Sequence, residues 1–128
     1  MKILKILLAA VLFTFLFSEC RYSFIVPEEV IPPDPGKEIS FAQEIEPIFN
    51  NNSNCTSCHS TGGQLPDLST GNAYNSINTS RYIDRGTPES SLIYTYPNPE
   101  TSTHTRKKYS QNEALLILTW IQQGAKNN

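Results

Sequence analysis

Apolar residues recur at helical spacing in two segments of the chain and predict two amphipathic helices. The first apolar face consists of Phe41, Ile45, Ile48 and Phe49. The second, near the end of the chain, consists of Ala114, Ile117, Leu118 and Ile121, and Leu116 and Trp120 widen it. No strand pattern extends beyond a few residues, and there is no internal repeat. The fold class that we predict is therefore all-α.

Polar residues at the ends of these segments indicate where the helices begin and end. Ser40 followed by Gln43 predicts a capping box in which Ser40 is the N-cap and Gln43 reaches back to it. Ser110 and Glu113 predict a second capping box. Pro47 should kink or shorten the first helix, and Gly124 should end the last one.

The segment between the two helices is less regular. Residues 73–77 predict one helical turn. Thr87, as N-cap, and Pro88, in the first turn, begin another helix, which continues through Ser91 and Tyr94 until the prolines at 97 and 99. Residues 38–128 thus form one small helical domain.

Cys55-Thr-Ser-Cys58-His59 is the motif with the most specific chemistry. Two cysteines separated by two residues and followed by histidine are the attachment signature of a c-type haem. The two thiols form thioethers with the vinyl groups of the porphyrin, and His59 is then placed to bind the iron from one face. The sequence therefore predicts one covalent haem c per chain.

The CxxC core alone also allows other interpretations. A thioredoxin-like redox pair needs an αβ context, whereas a helix precedes this motif and a loop follows it. A closed zinc site needs four ligands, and beyond the motif only His104 is available, at an unusual spacing. A structural disulfide between Cys55 and Cys58 is the plainest alternative.

The N-terminus has the layout of an export signal. A short basic start precedes an apolar run from Ile6 to Phe17, which is too short for an ordinary membrane span. Cys20 follows the run and resembles the acylated cysteine of bacterial lipoproteins, although Glu19 stands where that motif usually has Gly or Ala. Looser versions occur in Bacteroidetes-type lipoproteins. We expect a signal peptide over residues 1–19 and lipid on Cys20; otherwise Cys20 is a free thiol after ordinary cleavage.

Residues 20–37 predict a tether between the acylated cysteine and the domain. Prolines at 27, 32, 33 and 35 favour extended chain over helix. Cleavage before Cys20 would remove Lys2, Lys5 and Glu19 from 10 basic and 12 acidic residues, which leaves a formal charge of −3. An acidic chain without a basic stripe argues against nucleic-acid binding. We expect an exported protein, periplasmic or associated with the outer membrane through its lipid.

Three segments together resemble the mono-haem class I cytochrome c domain of small bacterial lipoproteins. Residues 41–59 are similar to the opening pattern I-x-P-I-F…C-x-x-C-H, residues 88–94 to P-x-x-S-x-L, and residues 116–125 to I-x-x-W-I-x-x-G-A. The resemblance covers residues 39–125. It implies first and last helices that cross beside the haem, with the Phe41 face in contact with the Trp120 face.

In most members of that family a methionine binds iron opposite the histidine. The only methionine of this chain is Met1, in the signal peptide. The remaining histidine, His104, lies where the resemblance places the methionine loop. We therefore expect His104 to be the distal iron ligand; the alternative is a surface histidine that leaves the iron open. Arg106, Lys107 and Lys108 could pair with haem propionates or guide an acidic partner, or simply be solvated.

The leading functional hypothesis is an electron carrier that exchanges electrons with redox partner proteins. The sequence offers no constellation for acid–base or nucleophilic catalysis, so we expect neither an enzyme nor a small-molecule substrate. If His104 is free, an open-site haem protein that senses gas or handles peroxide becomes the better hypothesis. A haem-free lipoprotein binding module is the third.

Overall fold

The structure, a computed structural model, describes residues 29–128. The predicted signal peptide, the predicted lipidation site Cys20 and the first part of the predicted tether lie outside these residues. Within them the secondary structure is helical and contains no strand, so the all-α prediction is confirmed. The α-helices are α1 (Glu46–Asn50), α2 (Ala73–Ile77), α3 (Leu92–Thr95) and α4 (Gln111–Gln122). A π-helical turn (Phe41–Ile45) precedes α1, and 3-10 turns cover Asn51–Ser53 and Pro88–Ser90.

Pro47 divides the first helical segment, as its position predicts. The segment begins with the wide π turn, in which the Glu46 N–H donates to the Phe41 carbonyl five residues back. It then continues as α1, with Pro47 in the first turn. Proline has no N–H and its ring crowds the preceding turn, so the regular ladder cannot pass through it.

The cap of this segment differs from the prediction in one partner. Ser40 Oγ accepts from Gln43 N at 3.3 Å, as expected. The carboxylate that reaches back to Ser40 N belongs to Glu44, at 3.0 Å, and not to Gln43. The wide first turn brings the fourth residue, rather than the third, opposite the cap. Lys37 lies 2.7 Å from Glu44 and is the main cause that lowers the pKa of that carboxyl.

The last helix follows its predicted boundaries closely. Both bonds of the Ser110–Glu113 capping box are present, at 3.2 and 2.7 Å. The chain leaves the helix at Gly124, whose φ of 100° suits glycine. The buried stripe differs in one member, because Trp120 is buried while Leu118 is half-buried.

The middle of the chain confirms α2 and corrects the helix after Thr87. The 3-10 turn over Pro88–Ser90 and α3 are separate elements, because Ser91 between them is extended with ψ at 128°. Ser91 is buried, and its hydroxyl accepts from Asp84 N at 2.9 Å. Thr87 makes no side-chain cap bond. A tertiary contact of Ser91 thus replaces the predicted continuous helix.

The first and last helical segments pack against each other through aromatic rings. The centroid of Phe41 lies 5.3 Å from that of Trp120 and 5.2 Å from that of Tyr74. The final residue, Asn128, also closes this face: its main-chain oxygen accepts from Ala42 N at 3.0 Å. This core supports the cysteine motif from one side, because Cys55 is partly buried against it.

The described part of the predicted tether runs beside α4. Ile31 N donates to Asn112 Oδ1 at 2.8 Å, and Asn112 Nδ2 donates to Glu29 O at 3.0 Å. A second hydrogen bond follows at Ile39, whose N–H donates to Gln123 Oε1 at 2.8 Å. The side chains at 29–32 are nevertheless exposed.

Candidate cofactor site

The cysteine motif forms a tight turn directly after the first helical segment. Cys55 N donates to Phe49 O at 2.9 Å, and the N–H groups of Cys58 and His59 both donate to Cys55 O, at 3.1 and 2.9 Å. Cys55 is half-buried and Cys58 is exposed, and both are free thiols. Burial raises the pKa of Cys55 to about 11, partly opposed by the nearby charge of Lys107. The Cys55 thiol is therefore protonated at neutral pH.

His59 is held at two points by the segment that follows the motif. Its Nδ1 lies 3.1 Å from Pro66 O, and its own carbonyl accepts from Leu68 N at 2.8 Å. A carbonyl can only accept, so Nδ1 carries the proton in this bond. The remaining nitrogen, Nε2, then keeps the lone pair that binds a metal.

His104 lies in a loop between α3 and α4 and has the same tautomer as His59. Its Nδ1 is hydrogen-bonded to Lys107 O, which again leaves the lone pair of the ring on Nε2. Its φ of 48° places it in the left-handed region. The ring of Tyr96 packs against it edge-on, with 5.5 Å between centroids.

The two imidazoles face the same cleft. Their centroids are 6.0 Å apart and their planes are inclined by 29°. The structure thus brings together the two histidines that the sequence predicted as ligands.

The cleft consists of two adjoining cavities, of about 460 and 790 Å³. Both cavities are lined by Cys55, His59, Gln64, Tyr96 and His104. The walls of the smaller cavity are largely apolar and include Leu65, Leu68, Leu92, Ile93 and Tyr109. Concave, mostly apolar spaces of this size are typical of cofactor sites.

The basic residues near His104 have different surroundings. Arg106 and Lys107 line the larger cavity, and Arg81 lines the smaller one. Lys108 points into its own loop instead, where its Nζ donates to Asn98 O at 2.9 Å and to Thr101 O. Lys108 therefore stabilises the loop, whereas Arg106 and Lys107 lie beside the larger cavity. Among the described residues, no acidic side chain lines either cavity.

Sequence reasoning missed the groups that orient the histidines. Two of these groups are main-chain carbonyls, those of Pro66 and Lys107, which leave no trace in residue identity. The turn that Asp67 caps at Ser69 was also missed, although Asp followed two residues later by Ser is a recognisable signal for such a turn. Tyr96 and Tyr109 are aromatic residues in a Thr- and Pro-rich stretch, and no periodicity singled them out.

No protein-family model, curated protein or solved structure matches this chain. Within residues 29–128, no three or more His, Cys, Asp or Glu side chains form a group that could hold a metal ion. None of the helices in that range is long and apolar enough to cross a membrane.

Proposed function

We propose that this protein is an electron-carrying c-type cytochrome of the cell envelope. In this proposal Cys55 and Cys58 would hold one haem covalently, and His59 and His104 would supply the imidazole ligands of its iron. The observation that carries the proposal is the pair of imidazoles at one cleft, beside the CxxC turn. Each has Nδ1 bound to a main-chain carbonyl and Nε2 left for a metal.

The donor set of the cleft fits a haem. Cys55 and Cys58 lie on one tight turn, suited to two thioether bonds at one edge of a macrocycle. The apolar walls of the smaller cavity can cover a flat hydrophobic ring and exclude water from it. When bound, the haem iron supplies one-electron chemistry by alternating between its ferrous and ferric states.

The residues of the chain set the conditions for that electron transfer. His59 and His104 each gain basicity from the carbonyl that accepts from Nδ1. A second imidazole in place of a methionine thioether favours a lower reduction potential, because methionine ligation raises it. Arg81, Arg106 and Lys107 supply positive charge beside the cleft for propionates or for an acidic redox partner.

The cell-envelope location is part of the proposal. An export signal over residues 1–19, lipid on Cys20 and a proline-rich tether would place the haem domain near a membrane, periplasmic or at the outer membrane. Intact mass measurement of protein from membranes should show the acyl groups, and Cys20→Ser should release the protein into the soluble fraction. Retention of the Cys20→Ser protein in membranes would contradict the lipid anchor.

The haem itself is tested by producing the chain with haem-maturation machinery. We expect one haem per chain that survives acidic organic extraction, and a reduced spectrum that is unchanged by carbon monoxide. Replacing both cysteines, Cys55→Ala with Cys58→Ala, should abolish covalent haem. Ser57→Ala, an exposed change in the same turn, is the matched control and should leave the haem content unchanged.

The alternatives correspond to different outcomes of the same experiment. A colourless product would contradict both haem hypotheses and favour a haem-free binding module. A reduced spectrum that shifts with carbon monoxide would contradict ligation by His104 and favour an open-site haem protein.

A further inference from the structure

Asp67 lies between the two residues that hold His59. Pro66, immediately before it, accepts from His59 Nδ1 at 3.1 Å. Leu68, immediately after it, donates from its N–H to His59 O at 2.8 Å. The placement of the imidazole therefore depends on where the main chain at Asp67 is fixed.

The side chain of Asp67 accepts four hydrogen bonds from three residues. Oδ1 accepts from the N–H and the hydroxyl of Ser69, at 3.0 and 2.5 Å. Oδ2 accepts from Thr61 Oγ1 at 2.8 Å and from Asn72 Nδ2 at 3.1 Å. Both carboxylate oxygens are thus fully engaged, and together they join the loop after His59 to the start of α2.

The main chain of Asp67 is tied to α2 as well. Its N–H donates to Ser76 Oγ at 2.8 Å. The donors around the carboxylate, Ser69 before the others, lower its pKa to about 2, so it is ionised at every ordinary pH. A charged acceptor forms stronger hydrogen bonds than a neutral one.

We propose that Asp67 is a positioning residue for His59. It keeps the Pro66 carbonyl on the imidazole Nδ1 and thereby lowers the reduction potential of the iron. This inference rests on the proposed function and adds to it a residue that touches neither the iron ligand nor the cofactor. Partners of this kind orient ligating histidines and increase their basicity. A more basic imidazole stabilises the oxidised iron, so loosening the Pro66 bond raises the reduction potential.

The test measures the reduction potential of haem-loaded protein by spectroelectrochemistry. Asp67→Ala should change the equilibrium constant for electron exchange roughly tenfold, the smaller of the usual effects for such partners. For one electron, this change raises the reduction potential by about 59 mV. Asp67→Asn, which keeps one carbonyl acceptor, should give a smaller rise. The haem content and low-spin spectrum should stay as in the unmodified chain.

Removal of the carboxylate charge would by itself raise the potential, so one variant must leave that charge in place. Thr61→Val deletes a donor to Asp67 on an exposed residue and keeps the carboxylate. It should shift the potential in the same direction and speed the solvent exchange of the His59 Nδ1 proton, observed by nuclear magnetic resonance. Asp84→Asn is the matched control. Asp84 caps a similar turn through Gly86 and Thr87 and has no bond to His59, Pro66 or Leu68.

The outcomes separate this proposal from the proposed function. An unchanged potential in Asp67→Ala, or shifts in both Asp67 variants but none in Thr61→Val, would overturn the positioning role while leaving the cytochrome proposal intact. If the unmodified chain bound no haem, the proposed function would fail, and proton exchange would still decide whether Asp67 orients His59. If Asp67→Ala does not fold, Thr61→Val alone decides: unaltered proton exchange at His59 would overturn the proposal.

Discussion

The two histidines of the cleft are held in different ways. His59 belongs to a hydrogen-bonded turn of main-chain groups, which the segment 66–68 fastens from the other side. His104 belongs to a loop between α3 and α4 that is held largely by side chains, such as Thr103 Oγ1 on Tyr96 O and Lys108 Nζ on Asn98 O. The turn that carries His59 is therefore held directly by main-chain hydrogen bonds, whereas the loop that carries His104 depends more on side-chain contacts.

Under the proposed function, this difference gives the two histidines different roles. A rigid proximal side suits attachment, because the thiols and the first imidazole must be presented together. A distal side supported by a few polar side chains is easier to alter without loss of the cofactor. Changes to the motif turn or to His59 itself should therefore affect haem attachment and stability, whereas changes near His104 should affect the spin state.

The largest effect should follow from His59→Ala. Without the proximal imidazole, we expect holoprotein to accumulate at less than roughly a tenth of the normal yield. Haem content per chain, from the pyridine haemochrome assay and intact mass, measures the loss. Thr105→Ala, an exposed change in the distal loop, serves as the control and should give a normal yield. Equal haem yields from His59→Ala and the unmodified chain would remove the basis of the comparison.

Gly63→Ala should have the next largest effect, on the rigid side. A Cβ at residue 63 would lie 2.6 Å from Cys58 O and 3.0 Å from Ser60 O, so the motif turn must shift. We expect a loss of about 1–3 kcal/mol in the free energy of unfolding and lower haem incorporation, measured by denaturant titration and haem assay.

Gly62→Ala is the matched neighbour. Its φ of 80° strains any side chain, but a Cβ there would meet no atom within 4 Å. It should cost about 1–2 kcal/mol and leave haem incorporation normal. If both variants incorporated haem equally well, the close approach at Cys58 would not matter to attachment.

Lys108→Met should act on the loop that carries His104. The change keeps the length of the side chain and removes its bonds to Asn98 O and Thr101 O, for a cost of about 1 kcal/mol. The loop around His104 should loosen, and a high-spin fraction should appear in the oxidised spectrum while the haem content stays normal. Lys126→Met, which removes a surface pair with Glu38, should leave the spectrum unchanged. A fully low-spin Lys108→Met protein would show that the loop does not depend on this lysine.

The smallest effect is a pH dependence on the His59 side. Hydrogen bonds from Ser69 and Thr61 lower the pKa of Asp67 from 3.8 to about 2. A carboxyl with a lowered pKa stabilises the folded state above its unfolded pKa, and this contribution disappears as pH falls from about 4 to about 2. Unfolding titrations over that range should show a shallower loss of stability in Asp67→Asn than in the unmodified chain. Parallel curves of stability against pH for the two proteins would contradict the lowered pKa of Asp67.

The sequence predicted the parts of the molecule that depend on local patterns. The last helix and its Ser110–Glu113 cap follow from residues that lie within one turn of each other. The break in the first helical segment was predicted from Pro47, which has no N–H to donate. The helix after Thr87 was predicted too long, because the break at Ser91 depends on a contact with Asp84, seven residues away.

The cap at Ser40 was wrong in its partner for a related reason. A regular first turn would have brought Gln43 back to the cap, but the π turn before Pro47 is wider and presents Glu44. In the site, the motif was predicted from its residue types and spacing, and His104 from the resemblance, which places it in the methionine loop. The carbonyls that orient both imidazoles were not, because a main-chain acceptor is set by the fold and not by the side chain.

The most direct test of the account asks whether His59 and His104 bind the same iron. Electron paramagnetic resonance of the oxidised protein, with and without His104→Ala, answers it. We predict a low-spin signal from the unmodified chain and a high-spin signal from His104→Ala, at equal covalent haem content. A high-spin signal from the unmodified chain, or the same low-spin signal from both proteins, would contradict the account.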